Sequence, residues 1–147
     1  VISFGQKLQA IGRMVMVFDK YDYPGYISRI WCIYEAFEAT KLPVLPDVAM
    51  PPSCQEELYK QITHGNFHSI RKSLMAISVE NATSTYPWDK ERILELIQTS
   101  GGFQAVNETV KCALMTWLAT AFQKCLRKLT TSETARAVGR LIKEGDG

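Results

Sequence analysis

Long apolar runs are missing from this chain. No window approaches the ~18 consecutive apolar residues of a membrane-spanning helix, and the most apolar stretch, ALMTWLATAF from Ala113 to Phe122, is far too short. No transmembrane segment is expected. The N-terminal VISFGQKLQAIG lacks the basic region, apolar core and cleavage site of a signal peptide, and it does not begin with methionine, a start expected where a chain begins inside a longer gene product. Dense basic stretches are also scarce. The 17 Lys and Arg stand against 15 Asp and Glu, and the bases are scattered apart from KCLRKL, Lys124 to Leu129, so no nucleic-acid partner is expected. The four cysteines, Cys32, Cys54, Cys112 and Cys125, form no C-x-x-C pair and no Cys/His cluster, so no metal site is expected. Cys32, Cys112 and Cys125 fall within apolar helical patterns, where a free cysteine behaves as a small buried hydrophobe. That usage fits a reducing compartment, and the expected location is the cytoplasm.

What is present suffices for one folded domain. A chain of 147 residues, 46% hydrophobic and 22% charged, has the size and composition of a single globular core. Ile2, Leu8 and Ile11 suit one face of a short helix that Gly12 can end. MVMVF, Met14 to Phe18, is apolar without alternation and reads as a strand of a parallel sheet covered on both faces. DKYDYPGY then has the composition of a surface loop.

Ser28 is the expected N-cap of the next helix. In SRIWCIYEAFEATKLPV, Ile30, Ile33, Tyr34 and Phe37 share one stripe, whereas Trp31, Glu35 and Glu38 lie together on an adjacent face. LPVLPDVAMPP reads as a short apolar strand interrupted by prolines, at an edge or strand terminus, and ended by Pro51 and Pro52. CQEELYKQI is helical, HGNF is a break, and SIRKSLMAISV is helix with a short strand expected near Ala76 to Val79. TYPWDKERILELIQ begins a helix with Pro87 in its first turn and Ile93, Leu94 and Ile97 on its apolar face, stopped by Gly101 and Gly102. From Phe103 to Leu129, apolar residues recur every three or four positions, which predicts a helix of roughly 40 Å. Thr130 to Ser132 interrupt that pattern, and Ser132 is placed to cap a last helix bearing Ala135, Val138, Leu141 and Ile142. The expected class is therefore α/β, a helix-rich partial parallel sheet with a C-terminal helical extension: residues 1–129 as the domain and 130–147 as the tail.

The segment from Gly12 to Val44 resembles the central strand, third helix and fourth strand of TIR (Toll/interleukin-1 receptor) domains, whose fold is flavodoxin-like. SRIWCIYE is similar to the plant-type S-x-W-C-x-x-E segment, with Ser28, Trp31, Cys32 and Glu35 in the matching places and two residues rather than one between serine and tryptophan. It is more similar still to the divergent TIR-like domains of large algal and protist proteins, which carry R-x-W-C-x-x-E and often precede tetratricopeptide repeats. SVENATSTYPWDKERILELI and GGFQAVNETVKCAL resemble the same subfamily. Ala135, Gly139 and Gly145 resemble the first helix of a tetratricopeptide repeat, but the glycine spacing is one short and no second helix follows. The first TIR strand and the loop after the second have no counterpart. Two alternatives stay open: these elements precede Val1, or this domain never had them.

Catalytic TIR domains cleave the bond between nicotinamide and ribose in NAD. The resemblance implies that Glu35 would hold the ribose hydroxyls and stabilise the oxocarbenium-like charge, while Trp31 and Ser28 would contribute to ligand binding. NAD would then be a substrate, and no cofactor is expected. The alternative is that Glu35 and Glu38 form a solvated helix face and Trp31 packs across the strand. Elsewhere, His64 and His68 are four apart but separated by a turn sequence, and Asp19, Asp22 and Asp47 follow strands, where polar loop residues are usual. KCLRKL suits a helix C-terminus, and Trp88 and Trp117 are expected in the core.

Three functions are consistent with these residues. The favoured one is a TIR-like interaction module, assembling with copies of itself or within a larger complex. The others are an NAD glycohydrolase using Glu35 and a structural accessory subunit or fragment.

Overall fold

Ser3 opens helix α1 (Phe4–Ile11) through a reciprocal cap: its Oγ accepts the Gln6 N–H at 3.3 Å, and its own N–H donates to Gln6 Oε1 at 2.9 Å. Gly12 ends the helix as the sequence predicts, in the left-handed region at φ 70°, with its N–H on the Leu8 carbonyl. The computed structural model describes residues 3–44, 46–66 and 68–144, and their side chains apart from 129 and 132–144. Ile2 and Gly145, and the side chains of Leu129, Ala135, Val138, Leu141 and Ile142, lie outside that description.

Two short strands follow the expected order. β1 (Val15–Val17) and β2 (Asp47–Ala49) pair in parallel, with Val15 opposite Asp47, Met16 opposite Val48 and Val17 opposite Ala49. A 3₁₀ turn (Gly25–Ser28) and helix α2 (Ile30–Thr40) make the crossover that parallel neighbours require. Burial of β1 on both faces is not what the structure shows. Met14, Met16 and Phe18 are buried, whereas Val15 is 47% and Val17 65% exposed. Side chains alternate along a strand, and no described helix covers the outer face, where the charged Asp47 also stands.

The rest is helical: α3 (Pro52–Thr63), α4 (His68–Met75), α5 (Pro87–Thr99) and α6 (Gly102–Glu144). Helix α2 is the hub, packed against α1, α5, α6 and the 3₁₀ turn, so none of its residues is fully exposed. A helix surrounded on this many sides buries more than one stripe. Ile30, Ile33, Ala36, Phe37 and Ala39 are buried, and Trp31, Glu35 and Glu38 are half-buried, which corrects the expectation of a solvated glutamate face.

Ser28 does not cap α2. Arg29 holds the N-cap position, and the Ser28 hydroxyl donates to the Gly25 carbonyl at 2.9 Å inside the 3₁₀ turn. A parallel bridge between Arg29 and Thr83 does the capping instead: the Ile30 N–H donates to Thr83 O at 2.9 Å, and the Thr83 N–H donates to Ser28 O at 2.8 Å.

Other expectations are corrected. Residues Ala76 to Val79 are turn and coil rather than strand, because the Val79 N–H is taken by the Asn107 side chain of α6. Helix α6 runs unbroken past Ser132. No glycine or proline lies between Phe103 and Val138, and the Thr130 and Thr131 hydroxyls fold back onto the Leu126 and Arg127 carbonyls at 3.0 and 2.9 Å. KCLRKL therefore sits mid-helix, away from any helix end. Cys112 is exposed because it lies two residues from both Val110 and Leu114 of the buried stripe, on the far side of the helix. Trp88, 64% exposed, stands about 140° around α5 from buried Ile93 and stacks on Tyr86 at 4.8 Å. Trp117 is half-buried with its ring 5.3 Å from that of Phe18, edge to face.

Candidate functional site

Glu35 reaches its position because α2 is enclosed by other helices. Burial pushes its carboxyl pKa up from the ordinary glutamate value, and the Arg29 guanidinium one and a half turns earlier opposes that rise. Cys32, on the preceding turn, is likewise raised by burial, eased by Arg29 and raised further by Glu35. Tyr26 completes the group. Its phenol is pushed up by burial and then by Cys32 and Glu35, and its hydroxyl is buried with no hydrogen-bond partner among the described residues.

All three environments favour the neutral forms: carboxylic acid, thiol and phenol. A thiol raised in this way is a poor nucleophile. A carboxyl raised in this way is a better proton donor at neutral pH than an exposed one. The arrangement therefore suits acid chemistry or a neutral hydrogen-bond donor at Glu35, and it does not suit a cysteine nucleophile.

The three residues singled out in the sequence are only partly brought together. Trp31 and Glu35 stand four residues apart on α2, Trp31 packed against the core. Ser28 is exposed, with its hydroxyl turned to Gly25. The aspartates organise backbone. Asp19 Oδ1 accepts the Gly25 N–H at 2.6 Å, which holds its carboxyl below the ordinary range, and the Asp22 carbonyl accepts the Ser73 hydroxyl. Asp47 accepts the Val48 N–H at 2.9 Å and lies 3.9 Å from Arg13. His64 Nδ1 is 2.6 Å from the Lys60 carbonyl, and His68 begins the next helix. No group of three or more potential ligands that could hold a metal occurs among the described residues. None of the described helices is long and apolar enough to cross a membrane.

A sizeable cleft lies elsewhere. A cavity of about 660 Å³ opens between β2, α3 and α6, with Leu58, Met50, Tyr59 and Trp117 in its walls and Arg13 and Lys124 among its charged groups. Ser28, Trp31 and Glu35 do not line it. Sequence reading missed this cleft because its walls come from segments 13–59 and 113–124, whose approach no local spacing signals. It missed Tyr26 for the same reason, since the turn between Tyr26 and α2 breaks any helical period. No protein-family model, curated protein or solved structure matches the chain.

Proposed function

We propose that the chain is a TIR-like assembly module acting in the cytoplasm, and that it docks onto a second copy of itself through the outer face of the β1–β2 pair. The observation that carries this reading is the bare sheet face. Val15 and Val17 point outward beside Ala49, and Ile11 just before β1 is also exposed. Among the described residues no further strand pairs with either edge of this two-stranded sheet, and an unpaired edge is a ready template for pairing. Exposed apolar surface of this kind marks protein contacts more often than chance. The four free cysteines suit the reducing compartment.

Sedimentation velocity over a wide concentration range tests the proposal. A sedimentation coefficient that rises with concentration supports it. A constant monomer value sinks it, and stable pairing with one different protein in the absence of self-association would favour the accessory-subunit reading.

The placement of Glu35, half-buried one turn from Trp31 on α2, favours a second reading, NAD cleavage, because the W-C-x-x-E resemblance puts there the glutamate that would hold the ribose and stabilise the oxocarbenium-like charge. Burial, which disfavours its charged form, works against that role. That reading ranks second, since the large cleft is lined by other residues. Nicotinamide release from NAD that is lost in Glu35→Gln would bring it forward.

A further inference from the structure

We infer that the cleft between β2, α3 and α6 is a binding site for a small amphipathic anion, an aliphatic chain ending in a carboxylate. This goes beyond the assembly reading and uses none of the exposed apolar residues on which that reading rests, although β2 contributes to both. Three features of the cleft carry it.

The first is size. At about 660 Å³ the cavity falls within the ~300–1,000 Å³ of small-molecule sites, and its floor is aliphatic, with Leu58 and Val44 buried and Val48 and Met50 beside them.

The second is charge. Asp47 is the one acid among the described lining residues; its carboxylate accepts the Val48 N–H at 2.9 Å and lies 3.9 Å from Arg13, so these two opposite charges offset each other. Lys124 has no acidic partner among the described residues, and Arg13 is held only by a loose, exposed contact of 3.9 Å. A further ammonium, that of Lys128, sits 4.9 Å above the Tyr59 ring. The lining therefore carries one positive charge in excess, Arg13 and Lys124 against Asp47.

The third is the hydrogen-bond inventory. The Thr116 and Thr120 hydroxyls spend their protons on the Cys112 and Thr116 carbonyls at 2.9 and 3.0 Å. The Tyr59 hydroxyl accepts from the Gln55 amide at 3.2 Å, which leaves its own proton available. The lining thus offers an anion the Lys124 ammonium and the Tyr59 hydroxyl alongside the aliphatic side chains. An anionic head on an aliphatic body matches both.

Titration of the full chain with decanoate, followed by the three tryptophan indole N–H signals in nitrogen-correlated NMR spectra, tests this, with decanol as the uncharged comparator. The expected result is saturable one-to-one binding that moves the Trp117 signal, weakens about tenfold in Lys124→Glu, and is blocked by Thr120→Phe, which fills the cleft from an exposed position. Three results would overturn the inference: no saturable shift, unchanged affinity in Lys124→Glu, or saturable binding that leaves the Trp117 signal unmoved. Should a variant lose its native spectrum, the parent alone decides, because decanol binding as tightly as decanoate removes the anionic head from the proposal.

Discussion

The amide N–H of Val79 donates to Asn107 Oδ1 at 2.9 Å, so one buried side chain of α6 ties down the coil between α4 and α5. The other end of the Asn107 amide donates to Glu80 Oε2, also at 2.9 Å. Asn107→Ala would leave a buried backbone donor unpaired, a loss of about 1–3 kcal/mol that the urea midpoint would report. The Asn107 amide N–H donated to Glu80 is the chief reason the Glu80 carboxyl lies below its ordinary value. The Glu80 pKa should therefore rise in the variant, which NMR titration of the carboxyl carbon can follow. A variant as stable as the parent would mean that the coil finds another partner.

Glu35 carries a pH dependence of the opposite sign. Burial raises its pKa in the folded state, so its protonated form favours folding, and stability should fall as pH rises from the unfolded value toward the folded one. Above that window the loss is complete. Glu35→Gln removes the charge and keeps the shape, so it should melt above the parent at pH 7, with the gap closing below about pH 4, near the ordinary glutamate value. Calorimetry at several pH values measures this. A melting temperature lowered at pH 7 would show that Arg29 outweighs burial.

Phe18 has no exposed surface and touches both the Tyr26 ring, at 5.8 Å between centres, and the Trp117 ring. It joins the end of β1 to the wall of the cleft. Truncation to alanine removes a fully buried ring, and the expected loss is about 3–5 kcal/mol. Near-ultraviolet circular dichroism should change as well, because Trp117 loses its edge-on neighbour. A loss below about 1 kcal/mol would mean that the site collapses around the smaller side chain.

The elements whose signals are local were legible in the sequence. Gly12 ends α1 because glycine accepts the left-handed cap, and Pro87 begins α5 because its fixed φ suits the first turn. The apolar periodicity of Val106, Val110 and Leu114 gave a long helix its buried face. What could not be read depends on distant chain. Whether β1 is covered on one face or two depends on which helices lie over it, and the burial of Glu35 depends on α1, α5 and α6 closing around α2. Ser28 had the chemistry of a cap, but Thr83, far along the chain, supplied the acceptor first. At the candidate site the W-C-x-x-E spacing placed Glu35 and Trp31 one turn apart, yet it carried no information about Tyr26, Cys32 burial or the separate cleft.

Neighbouring residues of β1 make the sharpest test of the one-sided sheet. Met16 points into the core and is 2% exposed, whereas Val17, the next residue, points outward. A lysine at 16 would bury an unpaired charge, at an expected cost of about 3–5 kcal/mol, enough to unfold a marginal domain. A lysine at 17 stays in water and should shift stability by no more than about 0.5 kcal/mol. If copies assemble through this face, Val17→Lys should nevertheless abolish the rise of sedimentation coefficient with concentration, because it puts a charge where the two apolar surfaces would meet. A Val17→Lys chain that is folded and still self-associates like the parent would remove the sheet face from the interface. A Val17→Lys chain that unfolds would mean that the outer face is covered in solution.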